Sequence, residues 1–478
     1  VQPPTRWRTI VAMGSDGEAG AVYDSVLDAV GATPLVRLRR IVPEGSAQVW
    51  VKTEWTNPGG SVKDRAALAM VLDAEESGAL RPGGTIVEGT SGNTGIGLAM
   101  VAAARGYRAV FVVPDRTTAE KQALLRAYGA EVVRTPGLVP QDDPRHVRRL
   151  AGRIAAETAG GWLADQYDNP ANPAVHERTT GPEIWAQTGG RVTHLVAGVG
   201  TGGTLTGAGR YLRRHGVTVV AADPWTSRYG GGDGSPYYVE AVGHYLHPLT
   251  GTDIWPQVYD PAVHDRVERI GDGESLRTVR SLARSEGLLV GGSSGTAVAA
   301  ALRVAAEAGP DAVVVAVLPD SGRIYLSKYF DDDWLTRLGF LDAVAGPRVR
   351  DTVGPYAPGL LVAPATTTVA ALLAALDRAG PGGAVPVVQP RETDAVTWSA
   401  PDVIGSVRPA DLMGLHPDEP VGAHAGPPPA TVGHGESTTV ATARLDAAAV
   451  GPHDAVLVLV DGRAVTQVRR DRLGVHPA

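Results

Sequence analysis

From about residue 22 to residue 335 short β-branched runs alternate with longer helical stretches, and this alternation restricts the fold more than any other feature. VWVKTEW, TIVE, RAVFVV and EVVR read as strands. LAMVLDAEESG, GLAMVAAARG and AEKQALLRAYG read as helices, each closing on a glycine suited to a helix C-terminus. THLVAGVG, VTVVAAD and AVVVAVLPD continue the series of strands. Such alternation demands parallel sheets covered by helices on both faces.

The 478 residues exceed one ordinary hydrophobic core, so two or three domains are expected. Residues 1–21 read as an N-terminal extension, 22–340 as the α/β domain, and the Gly- and Pro-rich 341–358 as a linker. Within 359–478, LLVAPATTTVAALLAALDRAG reads as strand, turn and helix, with AVPVV as the next strand. After a loose stretch, VGAHAGPPPATVGHGE, a similar order returns: the helix TTVATARLDAAAV, then a hairpin in DAVLVLVDGRAVTQV turning at Asp461-Gly462. Two copies of roughly 55 residues make a pseudo-symmetric α+β pair, too few for a solenoid.

Composition narrows the function. Apolar residues at 43% and charged residues at 20% suit a soluble globular chain. No run approaches the about 18 apolar residues of a membrane span, and VQPPTRWRTIVAMG lacks the apolar core of a secretory leader. The absence of cysteine excludes disulfides, thiolate metal sites and a cysteine nucleophile, and fits a cytoplasmic location. A net charge of -7 with scattered arginines argues against nucleic acid as a partner. No metal site is expected.

Three glycine-rich junctions and one lysine carry the chemistry. In GGSVKDRAALAM, Lys63 stands where two glycines and a serine meet a helical pattern; an ordinary surface lysine on a capped helix is the plain alternative. EGTSGNTG follows TIVE and opens a helix, so its backbone N–H groups suit a carboxylate or phosphate, with a capped turn as rival. GVGTGGTLTG, containing Gly200, Thr201, Gly202, Gly203 and Thr204, repeats the design and reads as a phosphate cup smaller than a dinucleotide site. GLLVGGSSGTAVAAAL is a third strand–glycine–helix junction, presenting Ser293 and Ser294 either as helix caps or as ligand-facing hydroxyls. A lysine for a Schiff base, a phosphate cup, a serine for a ring nitrogen and a loop for a carboxylate meet in the demands of one cofactor, pyridoxal 5'-phosphate.

In order along the chain, SVKDR, EGTSGNTGIGLA, QYDNPANP, TTGPEIW, GVGTGGTLTG and GLLVGGSSG resemble the cystathionine β-synthase and cysteine synthase family over residues 22–335. LPDSGRIYLSKYFDDDWL and Glu240 in YVEAVG are more similar to the cystathionine β-synthase branch. The resemblance implies a two-lobed fold type II pyridoxal-phosphate enzyme with parallel-rich sheets. It implies that Lys63 carries the cofactor as an imine and then acts as acid and base at the substrate Cα. It gives Asn93 to the ring hydroxyl, Gly200, Thr201, Gly202, Gly203 and Thr204 to the phosphate, and Ser293 to the pyridine nitrogen. Thr90, Ser91, Gly92, Thr94 and Gln166 would grip the substrate carboxylate, with Tyr167, Glu240 and Ala241 lining the pocket.

The implied reaction is β-replacement on serine or an activated serine through an aminoacrylate, with homocysteine giving cystathionine in transsulfuration. The alternatives are cysteine synthesis from O-acetylserine or O-phosphoserine and sulfide, specialised β-replacement with another thiol or amine, and a non-enzymatic ligand sensor. Small-molecule amino acids are the expected partners, and a homodimer or larger homo-oligomer the expected assembly. Three departures bear on the pocket: Gly89 where the family has proline, Ala241 where it has glycine, and His244 where it has tyrosine or a small residue. The first is expected to loosen the carboxylate loop and the second to crowd the pocket. Residues 359–478 resemble a degenerate CBS-domain pair, a module that often binds an adenosyl ligand. Arg408 and Val468 stand where a hydroxyl residue precedes Asp411 and Asp471, so a structural or dimer-mediating role is favoured over such a ligand.

Overall fold

The computed structural model describes residues 22–473 apart from 91, 116, 138, 140–141, 246–254, 354–359, 380–382 and 390–397. They fall into two compact units. One lies within Val1–Trp225, Val239–His244 and Ile254–Tyr325, the other within Thr226–Tyr238, Tyr245–Asp253 and Leu326–Ala478.

The first unit holds ten strands: β1 Leu35–Arg37, β2 Gln48–Thr53, β3 Thr85–Gly89, β4 Arg108–Pro114 and β5 Glu131–Thr135, then β6 Gly161–Leu163, β7 His194–Gly198, β8 Thr218–Pro224, β9 Arg266–Ile270 and β10 Val313–Leu318. A four-stranded sheet in the order β5-β4-β3-β6 is parallel throughout. A six-stranded sheet in the order β1-β2-β10-β7-β8-β9 is parallel except for β1. Every residue of β3 and of β10 is buried, as strands covered on both faces must be. That is why VVVAVL reads as an unbroken apolar run rather than an alternating one.

The covering helices are α1 Lys63–Glu76, α2 Asn93–Arg105, α3 Ala119–Ala127 and α4 Val147–Glu157, then α5 Ala171–Val175, α6 Gly181–Gln187, α7 Gly203–Arg213, α8 Asp272–Ser281 and α9 Gly292–Ala308. A π turn, His176–Thr180, joins α5 to α6 without a break. One core packs Met70, Leu98, Phe111 and Leu125 under the four-stranded sheet. Another packs Val51, Val196, Val298 and Val314 under the six-stranded one. The GLLV run before Ser293, expected as a strand, makes only the bridge Val290–Ser321 among the described residues. Gly287 ends the preceding turn in the left-handed region and Gly292 already starts α9, which leaves too little chain for a ladder.

The second unit continues with α10 Asp332–Arg337, α11 Val349–Val353, β11 Ala363–Pro364, α12 Val369–Ala379, β12 Val385–Val388, β13 Trp398–Ser399, β14 Val403–Val407 and α13 Pro409–Leu412. After these come β15 Ala430–Gly433, α14 Thr438–Ala447, β16 Ala455–Val460 and β17 Arg463–Arg469. Its sheet β11-β12-β14 joins one parallel and one antiparallel pairing, and β13-β17-β16-β15 repeats that pair in β15-β16-β17 and adds β13 antiparallel to β17. The hairpin at Asp461-Gly462 is present, with φ of 46° and 74° at the two turn residues, as a two-residue turn of this hand requires. β15 falls inside the stretch read as loose; the three prolines at 427–429 masked the strand behind them. Leu338 and Gly339 accept hydrogen bonds from Gly462 and Asp461, so the chain just before the expected linker is tied to this hairpin.

Candidate active site

Lys63 is the first residue of α1 and is half-buried. Burial lowers the pKa of its amine, against the pull of the Asp320 and Glu54 carboxylates. Two residues on, Arg65 fixes the start of this helix. Its guanidinium is bidentate to Glu54, at 2.8 and 2.9 Å, and to Glu183, at 2.7 Å on each arm. Burial pushes the Glu54 carboxyl up, but Arg65 overrides it and holds the group down at about 2.

A trail of hydrogen bonds connects Lys63 to the three glycine loops. Val62 N–H donates to Pro319 O at 2.8 Å, which sets β10's exit beside the lysine. The next residue, Asp320, accepts from Asn93 Nδ2 at 2.8 Å and from the Tyr325 hydroxyl at 2.7 Å, both on Oδ2. Its backbone oxygen accepts from Gly291 N, and a side-chain carbon at Gly291 would collide with Asp320 Oδ1. Only glycine therefore admits this carboxylate beside the start of α9. Burial raises the Asp320 pKa, opposed by the bonds from Tyr325 and Asn93.

In the first loop, Thr90 Oγ1 accepts from Gly92 N at 3.2 Å and Gly95 N at 3.4 Å. Thr94 donates to Gln166 Oε1, so these two residues meet across 72 positions of chain. Ser91 lies outside the described residues. A side-chain carbon at Gly92 would stand 3.4 Å from Lys121 Nζ. Lys121 in turn pairs with Glu240 at 2.5 Å and lies 4.7 Å from the Tyr325 ring centre. Gly89 is not slack: a side-chain carbon there would sit 2.8 Å from Val147 O, so glycine lets α4 approach β3. Tyr167 meets Arg148, whose guanidinium lies 5.1 Å from the ring centre.

The second loop is shaped by contacts that exclude side chains. A carbon at Gly200 would lie 2.8 Å from Ala241 O, one at Gly202 2.5 Å from Tyr259 Cβ, and one at Gly203 on top of Asn172 Oδ1. Gly202 also has φ of 89°, in the left-handed region. Asn172 Nδ2 donates to Gln166 O and to Thr201 Oγ1, tying this loop to the first. Ala241 is exposed, with φ of 67°. For a residue other than glycine this backbone conformation is strained. In the third loop, Ser293 and Ser294 open α9 with their hydroxyls buried and unpartnered among the described residues.

Sequence reasoning missed Asp320, Asn172, Lys121 and His176 as parts of this site. His176 is buried and its Nε2 lies 3.2 Å from Thr204 Oγ1. QYDNPANP and LPDSGRIY flagged Asn172 and Asp320 without assigning them a task.

A half-buried amine at a helix start, two glycine-rich helix starts and a buried hydroxyl without a partner among the described residues suit an enzyme with a phosphorylated cofactor. The residues present fit pyridoxal phosphate, since Ser293 Oγ is buried without a partner among the described residues and Gly202 and Gly203 open α7 with backbone free of side chains at a helix N-terminus. Residues 26–320, more than half of the chain, match the pyridoxal-phosphate dependent enzyme family, and the chain belongs to it. A cystathionine beta-synthase of Apis mellifera is 42% identical over 334 residues, covering 69% of this chain and 66% of that protein. Cysteine synthase B of Escherichia coli is 45% identical over 305 residues, covering 62% of this chain and 93% of that protein. The crystal structure of an O-ureido-L-serine synthase is 44% identical with a TM-score of 0.59, covering 66% of this chain and 99% of that one. The chain is a fold type II pyridoxal-phosphate-dependent enzyme of β-replacement, like the cystathionine and cysteine synthases. Among the described residues no helix is long and apolar enough to cross a membrane.

Proposed function

We propose that the enzyme joins serine, or an activated serine, to homocysteine and releases cystathionine. Bound pyridoxal phosphate supplies an electron sink for the bonds at the substrate Cα. Lys63 carries the cofactor, then takes and returns the Cα proton; a desolvated amine is more readily neutral and so better suited as a base. Asn93, with one amide hydrogen on Asp320, offers the other to the ring oxygen. Ser293 meets the ring nitrogen with a neutral hydroxyl, and Gly200 to Thr204 hold the phosphate. Thr90, Ser91, Gly92, Thr94 and Gln166 hold the substrate carboxylate, and Tyr167, Glu240 and Ala241 border it.

The observation that carries the choice of homocysteine is the Lys121–Glu240 pair beside Gly92. A zwitterionic nucleophile can exchange this ion pair for its own carboxylate and ammonium, which sulfide cannot do. Purified enzyme given serine and homocysteine should form cystathionine faster than it forms cysteine from O-acetylserine and sulfide. The reverse order would remove this reading. A second reading, β-replacement with another thiol or amine, is favoured by the likeness to O-ureido-L-serine synthase and by Ala241. Mass spectrometry over a panel of nucleophiles separates the two.

We also read 1–21 as an extension, 22–340 as the catalytic domain, 341–358 as a linker, and 359–478 as a degenerate CBS pair with a structural or dimer-mediating role. The assembly is proposed to be at least a dimer.

A further inference from the structure

We propose that His176 is a positioning residue for the cofactor phosphate: its Nε2–H donates to Thr204 Oγ1 and so frees that hydroxyl's proton to point at the phosphate. This rests on the reading of Gly200 to Thr204 as the phosphate loop.

The ring sits in the π turn His176–Thr180, a helix irregularity that shifts side chains relative to a regular α-helix. Its Nδ1 lies 2.8 Å from Thr180 Oγ1 and its Nε2 3.2 Å from Thr204 Oγ1. Burial pushes the imidazole pKa down to about 3, and the Arg65 guanidinium adds to this, so the ring is neutral with one donor and one acceptor. Thr180 is fully buried, and Nδ1 is its one side-chain partner among the described residues. Its proton must go there, because a buried hydroxyl left without an acceptor is costly. Nδ1 is then the acceptor and Nε2 the donor. The opposite tautomer would draw the Thr204 proton onto the ring and turn oxygen lone pairs toward an anion. The order Thr180 to His176 to Thr204 thus delivers one oriented donor to the loop at the start of α7.

Full-length protein stripped of cofactor with hydroxylamine is titrated with pyridoxal 5'-phosphate and, separately, with pyridoxal, which lacks the phosphate. His176→Leu should weaken binding of the phosphorylated form by about tenfold to a hundredfold, the worth of one hydrogen bond to an anion. Pyridoxal binding should change by no more than about twofold. His176→Gln, whose amide can donate from near the Nε2 position, should restore most of the difference. Thr180→Val, a milder change that keeps the ring, should lose part of it. Thr204→Val with His176→Leu should be no worse than Thr204→Val alone. If Thr204→Val leaves the preference for the phosphorylated form intact, the phosphate-loop reading falls. If Thr204→Val abolishes that preference while His176→Leu and Thr180→Val keep it, only the His176 inference falls. Equal weakening of both ligands, or no rescue by glutamine, overturns the inference too.

Discussion

The two units treat their buried polar groups in opposite ways. In the first, Asp64 Oδ1, Ser293 Oγ, Ser294 Oγ and Asp320 Oδ1 are buried with no partner among the described residues. In the second, the buried carboxylates are held from within: Asp402 by Ser399 and Glu436 by Arg444. Among the described residues, its buried side-chain polar atoms without a partner are the amide oxygens of Gln389 and Gln467. An unmet buried polar group costs about 1–3 kcal/mol. A fold keeps several of them side by side when a ligand supplies the missing partners. The first unit thus leaves carboxylate and hydroxyl oxygens unmet, while the second meets its buried carboxylates and leaves two amide oxygens.

The hardest test of this contrast is Lys63→Ala. Turnover should fall by at least about ten-thousandfold, since Lys63 is proposed as both attachment point and acid/base. The melting temperature of the cofactor-free protein should hold or rise, because a desolvated amine has been removed. Borohydride should fix pyridoxal to the peptide containing Lys63 in the parent enzyme, and to no peptide in the variant. Label on another lysine would break the comparison at its centre.

Next in size is Arg65→Met. Removing one partner of a buried ion pair costs about 3–5 kcal/mol, since Glu54 and Glu183 lose their main counter-charge. The pH dependence should change as well. Glu54 titrates at about 2 in the fold instead of near 4.5, so its pairing adds stability above 4.5 that is lost as pH falls toward 2. Without Arg65 the same burial raises the Glu54 pKa. In the variant this carboxyl should then add stability as pH drops from 7 toward 4.5, a window in which its contribution to the parent is flat. Thermal unfolding across pH 2–7 reads both limbs, and parallel curves would show that Arg65 does not control this carboxyl.

The alternation of strands and helices and the three glycine-rich helix starts were legible because each is a local pattern of a few residues. What escaped depends on distance along the chain. Asn93 and Asp320 are 227 residues apart, Lys121 and Glu240 119, and His176 and Thr204 28. No periodicity links such positions. The second unit was legible in its helices and its Asp461-Gly462 hairpin, but β15 hid behind three prolines. Gly89 was misread because its reason, the Val147 carbonyl, belongs to a helix 58 positions onward by the numbering.

Ala241→Gly separates two physical accounts of one methyl group. Overpacking would change kcat/KM unequally among nucleophiles of different size. Backbone strain acts otherwise: a non-glycine residue at φ of 67° costs about 1–2 kcal/mol, less about 0.5–1 for the added freedom of glycine in the unfolded chain. We expect a gain in stability of about 0.5–1 kcal/mol, with kcat/KM for homocysteine, sulfide and amines all moving in the same proportion. Because the Ala241 carbonyl lies against Gly200, the variant should also alter cofactor retention slightly. Improvement confined to homocysteine would return the methyl group to the pocket wall.

The smallest effect is expected in the second unit. Arg408 takes both oxygens of Asp411, at 2.8 and 3.0 Å, while Arg469 and His453 flank Asp471. A ribose needs a carboxylate that is free to accept from its hydroxyls, so these two are already occupied. A regulator must also bind one state of the enzyme better than another, by about 1.4 kcal/mol for each tenfold shift. Calorimetry with S-adenosylmethionine should therefore show no binding tighter than about 1 mM, and turnover should change by less than about twofold. Arg408→Thr restores a hydroxyl and releases Asp411 without touching the core, so the melting temperature should stay where it is. Any adenosyl affinity should appear first in that variant. Tight binding to the parent protein would mean that the exposed pairs open at little cost, and that the second unit, too, is waiting for a ligand.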